Sequence, residues 1–236
     1  MKKFLKVATL FIAGFALFAF TNIMGDSNFE GVITFGITFD SDASPQVAQM
    51  MQGSTIKTYI KGNKIRTESN FGMFKSVTIS DKSNPDGTVM LMELMGNKYQ
   101  LKIDDKAKKD AETDKPEIKY LDGTKTIAGY ACKEAQAIVT DKRSGQKYTS
   151  DIYYTDQLPY NNDGPHAKSA PYAGLKGCPL SYSMKQNGTS FSMVCQSIQK
   201  QSVPDSLFKA PSGYKLVTQE EMQKDIMQKM QGGGGQ

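Results

Sequence analysis

The chain has one histidine, three cysteines and no tryptophan in 236 residues, and the first two scarcities remove several chemistries at once. A Ser-His-Asp arrangement could draw its base only from His166, which lies in a loop beside Gly164 and Pro165. With no other triad members in view, an ordinary loop histidine is the simpler reading. The sequence has no Gly-rich phosphate loop, no Cys-x-x-Cys pair and no His-rich metal motif. No pair of carboxylates stands out among its many acids. The chain is therefore read as non-enzymatic, with no cofactor and no metal.

Long apolar runs are also scarce. The one that exists, Val7 to Phe20, follows Lys2, Lys3 and Lys6 and gives way to polar sequence, the layout of a secretory signal peptide. It is too short for a comfortable membrane span. A cut after Thr21, with Ala19 three residues from the bond, makes 1–21 the leader and predicts a periplasmic or secreted protein. Cys132, Cys178 and Cys195 all lie far from this leader, so no cysteine stands where a lipoprotein would be acylated.

Excess charge is missing too. Removing Lys2, Lys3 and Lys6 lowers the basic count from 29 to 26 against 24 acidic residues, which brings the formal charge from +5 to +2. The lysines between Lys102 and Lys119 are interleaved with Asp104, Asp105, Asp110, Glu112, Asp114 and Glu117. That is a solvated loop and not a nucleic-acid footprint, which would need basic groups clustered on one face.

What the chain does have is short alternating segments broken by tight-turn signals, the pattern of a mainly β antiparallel domain over 28–217. In Thr55 to Ser69, a turn at Gly62-Asn63 pairs Ile60 with Ile65 and Thr58 with Thr67 on an inner face, with Tyr59 meeting Arg66 and Lys57 meeting Glu68 outside. In Met90 to Ile103, a turn at Gly96-Asn97 would set Leu94 opposite Tyr99, Met92 opposite Leu101 and Met90 opposite Ile103, with Leu91 opposite Lys102 on the wet side. Met90 and Met92 then point away from Met95, which argues against a thioether site for Cu(I). Asn84 to Gly87 reads as a turn, and Asn187-Gly188 pairs Met184 with Phe191, Tyr182 with Met193 and Leu180 with Cys195.

That last register makes Cys178 and Cys195 diagonal neighbours, roughly 7 to 8 Å apart in an ideal ladder and somewhat too far for a bridge. A bulge at Pro179 would close the gap, so a Cys178–Cys195 disulfide with Cys132 free is the favoured pairing, against no bridge at all. Pro45 to Gln52 has helical spacing. Residues 218–236 read as an amphipathic helix with a Gly-rich tail: Thr218 and Glu221 form a capping box, and Met222, Ile226 and Met230 recur every four residues. Residues 156 to 176 form a long aperiodic connection of the kind that is functional or mobile.

Four blocks in order carry a resemblance: Tyr59 through Arg66 (YIKGNKIR), Ala128 through Lys133 (AGYACK), Gly174 through Leu180 (GLKGCPL), and Leu207-Phe208 followed by Pro211 and Gly213-Tyr214. They resemble a family of secreted Gram-negative bacterial proteins defined by a domain of unknown function, family 4412, and similar to the lipoprotein carrier LolA. The resemblance implies an open, strongly curved antiparallel half-barrel wrapped partly around a helix or loop, with a hydrophobic concavity. No arginine matches LolA's gating residue, so lipoprotein transport is not carried over.

On that fold the candidate ligand-lining residues are Ile60, Ile65, Met90, Met92, Leu94, Tyr99, Leu101, Tyr182, Met184, Phe191 and Met193. The expected function is an extracytoplasmic binding protein for a lipid or acyl chain. The alternative is a cell-envelope structural or interaction module that binds another protein through the 156–176 loop or the C-terminal helix.

Overall fold

Turn chemistry and alternation produce, among the described residues, twelve strands and one long helix. The computed structural model describes residues 29–39, 53–72, 74–81, 83–103, 116–140, 147–158, 172–186 and 189–232. The leader, the helical spacing at 45–52, residues 104–115 of the charged loop, His166 and the Asn187-Gly188 tip lie outside them, while Glu117 and Lys119, expected in that loop, open a strand. The strands are β1 (Glu30–Phe39), β2 (Thr55–Lys61), β3 (Lys64–Phe71), β4 (Phe74–Asp81), β5 (Asn84–Leu94), β6 (Asn97–Leu101), β7 (Glu117–Ile127), β8 (Tyr130–Thr140), β9 (Lys147–Thr155), β10 (Cys178–Gln186), β11 (Thr189–Lys200) and β12 (Lys215–Val217). Helix α1 spans Gln219–Gly232.

All twelve strands form one sheet in the order β12-β6-β5-β4-β3-β2-β1-β11-β10-β9-β8-β7. Two antiparallel meanders, β1–β6 and β7–β11, are joined where β1 pairs with β11. Only β12 runs parallel to its neighbour, β6. The two end strands do not pair with each other, so the sheet is open, while β7 curls back to approach β11. The expected mainly β half-barrel with a C-terminal helix is what the chain forms.

In β1 the register slips between Thr34 and Phe35. Gly36 then makes room for the Gln196 side chain, since a Cβ there would sit 2.2 Å from Gln196 Nε2. The β2–β3 register is the one expected, with Ile60 opposite Ile65, Thr58 opposite Thr67 and Lys57 opposite Glu68. The turn expected at Asn84 to Gly87 moves upstream, because Asn84 already pairs with Asp81 inside the ladder.

The β5–β6 hairpin differs in an instructive way. Its turn residues are Met95 and Gly96, at φ 51° and 79°, and not Gly96-Asn97. Met92 consequently faces Tyr99, Met90 faces Leu101 and Leu94 faces Asn97. Asn97 lies just past the turn and closes it, its Nδ2 donating to the carbonyls of Leu94 and Met95 at 3.3 Å each. The pairing has moved by two residues, and with a side-chain period of two every residue keeps its face.

Met95 is 61% exposed and holds a left-handed conformation that favours Asn or Gly. Met95→Asn is therefore expected to raise stability by roughly 0.5 to 1 kcal/mol in urea unfolding. An unchanged or lowered midpoint would contradict this turn assignment.

The outer face of β2–β5 carries a strap, residues 203–214, that includes a short 3-10 turn at Asp205–Phe208. Side chains bind it down. Glu30 accepts from the Val203 amide at 2.6 Å, Lys61 donates to the Val203 carbonyl at 3.2 Å, Arg66 donates to the Leu207 carbonyl at 2.9 Å, and the Tyr214 hydroxyl donates to Glu93. Lys61 and Lys64 also pair with Asp205 and hold its carboxyl below the usual range. Beneath this strap the outer face is partly apolar: Ile79 is buried, and it lines a cleft of 190 Å³ with Phe208. Leu91, expected on a wet face, lies on the same side and is buried.

Candidate functional site

The candidate site is the inner face, and its residues divide into two clusters. Ile60, Tyr182, Phe191 and Met193 belong to the large core centred on β1, β2 and β8–β11, together with Ile33 and Phe35. Met92 and Tyr99 belong to a second, small cluster with Val217 and Met222, against which Leu101 and Ile226 pack, and Phe74 packs against both clusters. Ile65 is buried opposite Ile60, and Met90, Leu94 and Leu101 are half-buried in the β5–β6 arm. Met184 takes its expected place opposite Phe191 in the ladder, and its side chain lies outside the description.

The large cluster is filled. Tyr172 and Leu175, from the end of the long connection, are buried on it, with the Tyr172 ring packed edge-on to Tyr182 at 6.0 Å between centroids. Two polar pairs sit within this face without being left unsatisfied: Thr58 and Thr67 exchange a hydroxyl bond at 3.4 Å, and Ser150 donates to the Tyr182 hydroxyl at 3.0 Å. Burial pushes the Tyr182 phenol up to about 12. These groups are buried as part of the core.

All three cysteines are in this core as buried free thiols, in place of the expected bridge. The reason is local. A register slip does occur between Pro179 and Ser181, but on the β9 side, leaving Cys178 opposite Thr155, while the β10–β11 pairing begins only at Ser181 with Val194. Burial raises the Cys178 thiol well above its ordinary range, with Cys195 and Cys132 adding to the effect, and lifts Cys195 to about 12. Such thiols are poor nucleophiles. Among the described residues, no group of three or more His, Cys, Asp or Glu is placed to hold a metal ion.

The small cluster is covered by Val217 of β12 and by α1. The helix starts on the expected capping box: the Glu221 amide donates to Thr218 Oγ1 at 3.2 Å and the Thr218 amide to Glu221 Oε2 at 2.8 Å. Met222 is 1% exposed, as are Met92 and Tyr99 beneath it, while Ile226 is half-buried. Burying a Met side chain is worth about 1.5 to 3 kcal/mol. The remaining attachments are polar. The Tyr99 hydroxyl donates to Asp225, and Lys229 donates to Asn97 Oδ1 at 2.6 Å and to Asp225 at 2.9 Å, with its ammonium 5.9 Å from the Tyr99 ring centre. Burial and the Asp225 bond raise the Tyr99 phenol, and the same bond, with Lys229, lowers the Asp225 carboxyl.

The capping box and the Met222/Ile226 spacing were legible in the sequence, but the helix's seat on Tyr99 and Asn97 was not. Asp225, Lys229 and Val217 are therefore additions to the candidate site. The strap residues were missed as well. The Leu207-Phe208, Pro211 and Gly213-Tyr214 block marks the strap as part of the resemblance, but with no periodicity to say that it packs on the outer face.

An open antiparallel half-barrel with an apolar inner face, part filled and part roofed by a helix, is the class of protein these features define. The chain belongs to the family described as a domain of unknown function, DUF4412, whose model matches residues 29–214. No curated protein matches the sequence. Among solved structures, LprF from Mycobacterium bovis is similar with a TM-score of 0.36 and 9% identity, over 84% of this chain and 97% of that one. Among the described residues, no helix is long and apolar enough to cross a membrane.

Proposed function

We propose that the protein is a non-enzymatic binding protein of the periplasm or the exterior, exported by the 1–21 leader, and that its 28–217 half-barrel holds a lipid or acyl chain on the inner face. The observation that carries the reading is the second apolar cluster on the β5–β6 arm, which meets the main core only through Phe74 among the residues packed on each. Met92, Tyr99 and Leu101 form an apolar surface covered by Val217 and by Met222 and Ile226 of α1 and not by the main core cluster, and apolar surface of this kind is where an apolar ligand gains most by burial. Met90 and Leu94 flank it on the same face. Ile60, Ile65, Tyr182, Phe191 and Met193 act in this reading as the floor that holds the sheet's curvature.

The test is native mass spectrometry of the full chain after export in a Gram-negative host, with lipid extraction of the same sample. The expected result is a copurifying lipid that Met92→Lys abolishes without altering the far-UV spectrum. A lipid-free protein in both assays would overturn the reading.

A further inference from the structure

We infer that helix α1 is a built-in competitor for the apolar ligand: it occupies the Met92/Tyr99/Leu101 surface in the empty protein and must leave it for an acyl chain to bind. The inference rests on the proposed binding function and concerns the regulation of that same site.

The path of the chain is the first argument. The strap lies on the outer face, bonded to Arg66 and Glu93. β12 then pairs with the free side of β6 through only Lys215, Leu216 and Val217, and α1 turns onto the inner face, over Tyr99. The family match ends at residue 214, directly before β12, so the half-barrel's matched part is complete without the strand and helix that roof it.

The second argument is how lightly the roof is held. Among the helix residues whose side chains are described, only Met222 is buried, and Met227 on the same helix is 40% exposed. The Lys229 ties to Asn97 and Asp225 are exposed, where water can replace them, and only the Tyr99–Asp225 bond is part-buried. An element with so few buried contacts belongs to the low-stability end of local opening reactions. A ligand that binds only the opened form has its affinity reduced by the fraction open, and loosening the roof restores that affinity.

The helix also resembles what it would yield to. Met222 and Ile226, four residues apart, present a narrow apolar stripe to Tyr99 and Leu101, much as an acyl chain would. Both occupants use the same surface, so they exclude one another.

The experiment uses the full chain and a dansylated undecanoic acid as fluorescent probe. Met222→Glu, which removes the one buried anchor, is compared with the double change Asp225→Ala and Lys229→Ala, which cuts the polar ties to Tyr99 and Asn97 and leaves the apolar side chains of the cluster in place. The expected result is a gain in probe affinity of about tenfold or more for Met222→Glu and a smaller gain for the double variant. Faster hydrogen exchange of the 219–232 amides should accompany it, both in the variants and in the native chain when the probe is added. If the native chain binds the probe but affinity stays the same while helix exchange rises, the competition is wrong and the binding function stands. If no variant binds the probe, both fall. Should Met222→Glu lose its strand spectrum, the double variant decides: unchanged affinity with faster helix exchange overturns the inference.

Discussion

Tyr182→Ala is expected to destabilise the domain by about 3 to 5 kcal/mol, the range for removing a large aromatic side chain from a packed core. Tyr182 is 1% exposed, lies under Tyr172, and has its ring 6.5 Å from that of Phe191. Tyr182→Phe should cost much less, about 1 to 2 kcal/mol, because it removes only the bond with Ser150 and leaves that hydroxyl short of a partner. The pair separates two views of the inner face. A residue lining an open ligand cavity would lose little on truncation, since one of its sides meets no protein. Equilibrium urea unfolding of the two variants and the native chain measures both values, and a Tyr182→Ala cost below about 1 kcal/mol would show that the β10–β11 half is hollow.

That contrast also explains how much was legible beforehand. The β2–β3 hairpin could be read residue by residue because Gly62-Asn63 lies between matched pairs, with Lys57 opposite Glu68 and Ile60 opposite Ile65. The β5–β6 hairpin could not, because Met95-Gly96-Asn97 offers two overlapping turns, and the choice depends on whether Met95 accepts a positive φ, which composition does not reveal. The error left the face of every residue unchanged, so Met92, Tyr99 and Leu101 still share one side.

Burial of Leu91 was hidden for a different reason. Part of the outer face is covered by a strap tied through side chain to main-chain bonds such as Arg66 to Leu207, and these leave no periodicity to detect. The helix lay between these cases. Its start was written in Thr218 and Glu221, but its seat depends on long-range contacts of Tyr99 and Asn97 with Asp225 and Lys229. The cysteine pairing failed because a bulge at Pro179 was foreseeable, whereas the strand on which it would act was not.

The second large effect is loss of stability in alkali. Tyr182 and Cys195 are raised from ordinary values of 10.0 and 9.0 to about 12 each, chiefly by burial, and Cys178 and Cys132 are raised for the same reason. Each group stays protonated in the folded chain while its unfolded counterpart ionises, so the unfolded state binds fewer protons and stability must fall as pH rises. Their contribution is complete below about pH 9, declines from there as the unfolded thiols ionise, and steepens above 10 as unfolded tyrosine joins them, with the Tyr182 and Cys195 parts spent once pH passes about 12.

At 1.36 kcal/mol per unit for each group, the combined loss is on the order of several kcal/mol, comparable with the whole stability of a typical domain. Urea midpoints at pH 7, 9, 10 and 11 should therefore fall progressively, with unfolding approached before pH 12. Thiol labelling at neutral pH should be slow in the folded chain and reach three per chain on denaturation. The onset identifies the groups responsible. Replacing Cys178 and Cys195 by alanine takes both out of titration and should shift most of the early decline from about pH 9 to about 10, leaving Cys132 and the tyrosine part intact. A midpoint that stays flat from pH 7 to 11 would mean that these thiols and the Tyr182 hydroxyl are reached by water, and that the inner face of β8–β11 is not the sealed core on which the rest of the half-barrel is built.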